Sequence, residues 1–109
     1  MQPTRLKKRS QFLEIAEKGQ KIVSSGLILQ ALKNEDPKVF QVGFTTTKKL
    51  GKAVIRNRIR RRLRALVYHN FPEHAKRGYQ YALIGRKSTF DRDFEMLGKD
   101  LRYTLKQVQ

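Results

Sequence analysis

The chain has 109 residues, with 25 Lys and Arg against 9 Asp and Glu, a formal charge of +16 and no cysteine. That length suits one domain over residues 1–109, burying about two thirds of the surface its unfolded chain exposes. The charge opposes compaction unless a polyanion offsets it, and the missing cysteines exclude disulfides, thiolate catalysis and cysteine zinc sites.

Residues 1–9 are a basic lead-in, densest from Arg5 to Arg9. No apolar run follows, so the segment does not read as a signal peptide. Ser10 is positioned to cap a first helix through its hydroxyl. Phe12, Leu13, Ile15 and Ala16 give that helix an apolar side, and Gly19 is expected to end it in the left-handed conformation. Ile22 to Leu32 reads as one extended segment with a buried run at Leu27, Ile28 and Leu29, and the apolar stretch around Leu27 to Leu32 is far too short to span a bilayer. Lys33 to Lys38 contains Asn34, Asp36 and Pro37 and reads as a turn. Val39, Phe40, Val42 and Phe44 then form a second strand, with Val42 and Phe44 on one face and the β-branched Thr45-Thr46-Thr47 at its end.

Gly51 interrupts the strand pattern. From Lys52 to about Tyr68 the spacing predicts a helix whose apolar side is Ile55, Ile59, Leu63, Leu66 and Val67. Asn57, Arg61, Arg64 and Tyr68 project on the other side, flanked by Arg58 and Arg60, and Pro72 is expected to close the segment. Tyr79 to Ile84 reads as a third strand, left through Gly85-Arg86-Lys87. Asp91 or Asp93 can cap a last helix with the seam Phe94, Leu97, Leu101, Leu105 and Val108, in which Gly98 costs about 1 kcal/mol. The fold class is α+β: an α/β sandwich in which a sheet containing antiparallel strands packs on helices.

Six arginines fall in the nine positions from Arg56 to Arg64. Arginine grips two phosphate oxygens at once and stacks on bases. A helix face of one sign makes a poor solvated surface, because like charges at i,i+4 repel, and Arg60 and Arg64 stand at that spacing. Arg56, Asn57, Arg58, Arg60, Arg61 and Arg64 are therefore expected to bind nucleic acid. Neutralising about six phosphates would give log affinity a slope of roughly −4 to −5 against log salt. Lys48, Lys49 and Lys52 precede this helix and are assigned to the same surface, as are Arg86 and Lys87 after the third strand. Phe12 is either a stacking platform for single-stranded bases or a core residue of the first helix; spacing leaves both open. An anionic membrane is a poorer partner, since the basic run lacks Trp and Phe anchors. No catalytic triad, phosphate-cradling glycine loop, carboxylate cluster or metal-binding set is apparent.

The segment from Thr47 to Arg64, Thr-Lys-Lys-Leu-Gly-Lys-Ala-Val-Ile-Arg-Asn-Arg-Ile-Arg-Arg-Arg-Leu-Arg, resembles the signature of the bacterial ribonuclease P protein family. Arg5-Leu-Lys-Lys8, Phe12, Gly19, Val42-Gly43 and Ile84-Gly-Arg-Lys87 extend the resemblance over almost the whole chain. It implies a left-handed βαβ crossover, against the usual right-handed preference. It implies a non-catalytic subunit of an endoribonuclease that removes the 5′ leader from precursor tRNA, with catalysis residing in a large RNA. The partners are then that RNA and precursor tRNA, with no membrane and no obligate protein partner, in the cytoplasm. Mg2+ is expected to be held by the RNA and substrate, and the protein to lower the magnesium requirement. The arginine helix corresponds to the RNA-contacting motif, and Phe12, Gln30, Arg5 and Lys8 to a cleft for the leader. Ala16 and Gln30 stand where family members carry aromatics, which weakens or redistributes stacking on the leader. The alternative is a ribosomal or other structural RNA-binding protein.

Overall fold

The computed structural model describes residues 2–109, in which helices flank both faces of a five-stranded mixed sheet. The strands are β1 (Thr4–Arg5), β2 (Gln20–Val23), β3 (Leu27–Lys33), β4 (Phe40–Thr45) and β5 (Tyr79–Gly85). The helices are α1 (Arg9–Lys18), α2 (Ala53–His74) and α3 (Phe94–Gln107), with short 3-10 turns at Lys48–Leu50 and Lys87–Phe90. The strand order is β1-β4-β5-β3-β2. β2, β3 and β5 pair antiparallel, whereas β4 runs parallel to β5 and to β1. β4 and β5 are adjacent and joined through α2, which makes the expected βαβ unit.

Alternation along the strands divides the sheet into two faces. Leu27, Leu29, Ala31, Phe40, Val42, Tyr79, Tyr81 and Leu83 pack with Ile59, Leu63, Leu66 and Phe71 of α2 and Leu97, Leu101 and Leu105 of α3. On the opposite face Ala82, Leu6 and Ile15 form a smaller cluster under α1, with Phe12 and Leu32 at its margin. The faces predicted for α2 and α3 are the ones buried, except that Ile55 is half-buried and Phe94 is exposed, whereas in α1 only Ile15 is buried, Phe12 being half-buried and Leu13 and Ala16 exposed.

Several boundaries differ from the sequence reading. Lys8, not Ser10, is the N-cap of α1, because the Gln11 side chain accepts from the backbone N–H groups of Lys7 and Lys8 at 3.2 and 3.1 Å. Gly19 ends the helix with extended backbone (φ −85°), not left-handed. Its requirement is space: a Cβ there would lie 2.5 Å from the Ile15 carbonyl oxygen and 2.6 Å from that of Ala31. The segment Ile22–Leu32 is not one strand but a hairpin, turned at Ser24–Gly26, where the Ser24 hydroxyl donates to the Leu27 carbonyl at 2.6 Å. Pro72 does not close α2, which runs on to His74. The Tyr68 carbonyl that proline cannot satisfy accepts from the Gln2 side chain at 3.5 Å. β1 went unread, being two residues long. Asp93 caps α3, accepting from the backbone of Glu95 and Met96.

Candidate nucleic-acid interface

Gly51 sets the start of α2. Its φ of 137° is a conformation that side chains with a Cβ rarely adopt, and it turns the chain from the Lys48–Leu50 turn into the helix. Lys48, Lys49 and Lys52 are all exposed there, and the first turn of α2 contains no acid. The Arg56 guanidinium reaches back to the Gly51 carbonyl at 3.2 Å.

The predicted arginines divide into two groups. Arg61 and Arg64 are exposed and donate no hydrogen bond among the described residues; with Val54, Asn57 and Arg60 they line a shallow depression. Burial, and then the charges of Arg5 and Arg60, push the Arg64 pKa down. Like charges crowded this closely create a strong attraction for phosphate. Arg58, by contrast, lies 4.9 Å over the Phe90 ring and donates to the Phe90 carbonyl at 2.9 Å. Arg86 donates to the Ser24 carbonyl at 2.6 Å and ties the β2–β3 turn to the end of β5. Both carry a structural contact that sequence reasoning did not anticipate, while Lys87 is exposed.

Arg62 was left out of the sequence-based set, and the structure explains its place. It donates to the carbonyls of Thr89 and Arg92 at 2.7 and 2.5 Å, pinning the Lys87–Phe90 turn to α2. Burial first, and then Arg58, push its pKa down, with Asp91 and Asp93 pulling the other way. Its position four residues after Arg58, on the same helix flank, was the available signal.

The four residues assigned to a cleft do not converge. Phe12 lines a groove of about 470 Å3 with Arg9, Leu13, Phe44, Thr45, Thr46 and Arg60. The half-buried Phe12 ring also meets the small cluster under α1, as the core reading expects. Gly43 makes room for it, since a Cβ at Gly43 would lie 2.2 Å from the ring tip. Gln30 shares the cross-strand row Gly43–Ala82–Gln30, two strands away. Arg5 and Lys8 line a different depression with Thr4, Lys7, Gln11 and Gln41. Arg5 also lies 5.9 Å over the ring of Phe44, itself a groove residue, and near enough to perturb Arg64, so it borders both the groove and the arginine face of α2. Arg9 and Thr46 are groove residues that sequence alone did not mark.

The ribonuclease P family matches the chain over residues 1–109. The chain belongs to the ribonuclease P protein family. A ribonuclease P protein component from Gluconacetobacter diazotrophicus is 50% identical, the match covering 95% of this chain and 90% of the relative. One from Paramagnetospirillum magneticum is 46% identical, covering 95% and 81%. The solved RNase P protein of Thermotoga maritima superposes with a TM-score of 0.82 at 27% identity, covering 96% of this chain and 97% of that one. These likenesses do not favour the ribosomal alternative. As a ribonuclease P protein the chain is an RNA-binding component that acts with the ribonuclease P RNA in tRNA processing. Among the described residues no helix is long and apolar enough to cross a membrane.

Proposed function

We propose that this ribonuclease P protein docks on its RNA through the exposed arginines of α2 and guides the single-stranded 5′ leader of precursor tRNA along the groove beside α1. Catalysis then belongs to the RNA, in the cytoplasm, and Mg2+ held by RNA and substrate supplies the charge stabilisation at the phosphodiester. One observation carries the reading: Arg61 and Arg64, unpaired among the described residues, present their guanidinium groups on the helix that follows Lys48–Lys52, while the groove that Arg60 shares is lined by the Phe12 and Phe44 rings.

The groove is suited to an unpaired strand. Phe12 and Phe44 offer rings for base stacking, worth about 1–3 kcal/mol per base, and Arg9 and Arg60 line its margin. The test is cleavage of a precursor tRNA by a bacterial ribonuclease P RNA at low magnesium, with and without the protein. Restored 5′ cleavage, with protein alone inert, is the expected result. A folded, RNA-bound protein that restores nothing refutes the proposal.

A further inference from the structure

We infer that Arg60 is a positioning residue that fixes the register between the strand in the groove and the RNA on α2. This rests on the proposal above. Arg60 is the residue shared by the two surfaces, lining both the groove with Phe12 and the depression with Asn57, Arg61 and Arg64. One guanidinium nitrogen donates to the Thr46 hydroxyl at 2.6 Å and the other to the Asn57 side-chain oxygen at 3.2 Å.

The chemistry of these bonds dictates what their partners present outward. Arginine has donors and no acceptor. Asn57 must therefore turn its oxygen to Arg60, which leaves the amide N–H2 free to donate toward RNA. Thr46 uses its oxygen to accept, so its hydroxyl proton points elsewhere. Among the described residues neither group has another hydrogen-bond partner. The result is a row of donors, Thr46 O–H, the Arg60 guanidinium and Asn57 N–H2, running from the groove onto the helix. Such a row recognises acceptor-only groups, and the phosphate oxygens of a backbone crossing between the two surfaces are the matching chemistry. Because Arg60 holds both neighbours, displacing it on one side reorients the donor on the other.

The experiment uses the assembled holoenzyme at protein concentrations that saturate the RNA. It compares affinity for a precursor tRNA carrying a leader with affinity for the same tRNA without one. Arg60→Lys keeps the charge but loses the two-armed fork, and Thr46→Val keeps the shape but loses the acceptor. Each is expected to reduce the leader-dependent affinity ratio about tenfold, the scale of one charge-assisted hydrogen bond. Thr46→Ser should restore it, and the double variant should lose no more than the worse single one. Additive losses, or variants that keep the wild-type ratio, overturn the coupling. A wild-type holoenzyme with no leader dependence instead refutes the groove reading itself, so the two failures are distinguishable. Melting temperatures of the variants guard against misfolding as the cause.

Discussion

Arg61 and Arg62 are neighbours in sequence and are expected to behave as opposites. Arg62 makes two charge-assisted hydrogen bonds to the carbonyls of Thr89 and Arg92. Fully buried, such bonds contribute about 1.5–3 kcal/mol each. Arg62 is only half-buried and both carbonyls can be rehydrated, so Arg62→Ala should cost about 2 kcal/mol in all. For a domain of this size that lowers the melting temperature by about 8 °C. Arg61→Ala removes a group with no partner among the described residues, and should leave the melting temperature within about 2 °C. Its effect belongs to RNA binding: the slope of log affinity against log salt should flatten by roughly 0.7 to 1 unit. Thermal unfolding and a salt titration of binding to the ribonuclease P RNA measure both variants. An unchanged slope for Arg61→Ala, or a changed slope with normal stability for Arg62→Ala, would refute the division of the helix into phosphate-facing and turn-holding arginines.

Gly43→Ala should drive the Phe12 ring from its seat, costing about 1–3 kcal/mol and weakening leader-dependent substrate affinity; a crystal structure of the variant with Phe12 unmoved would contradict this. Burial raises the Tyr81 pKa above its usual value, aided by Tyr79 and opposed by the bond from the Lys76 backbone. The unfolded chain releases that proton near about pH 10 and the folded chain does so later, so the contribution is complete below pH 10 and is lost as pH rises beyond it. Alkaline denaturation should therefore be less steep in Tyr81→Phe, as followed by circular dichroism between about pH 9 and 12. Asp93→Ala should destabilise the protein by about 1 kcal/mol, visible as a shift in denaturant midpoint without a change in RNA affinity.

The long helix and its arginine face were legible because their signal is local. Ile59, Leu63 and Leu66 repeat at helical spacing, and nothing downstream alters which way Arg61 and Arg64 point. The roles of Arg58, Arg62 and Arg86 were not legible, because their partners Phe90, Thr89, Arg92 and Ser24 lie far away in sequence and meet them only after folding. The β2–β3 hairpin was hidden for another reason. Ser24-Ser25-Gly26 carries no Asn-Gly or Asp-Gly signature, so the apolar residues on either side merged into one strand. The contact of Arg5 with Phe44 was not legible for want of β1, whose two pairings to β4 bring it there.

The cations that bond within the fold have an unusual set of partners. Arg58, Arg62, Arg86 and Lys76 donate to main-chain carbonyls, and among the described residues the sole ion pair is Arg92 with Asp100 at 2.8 Å. Carbonyl oxygens satisfy the geometry of a cation without cancelling its charge. Much of the +16 therefore survives folding, and the free protein stores mutual repulsion that an assembled particle releases. By mass action, binding to RNA adds to the stability of the folded chain, so the melting temperature is expected to rise when the RNA is present.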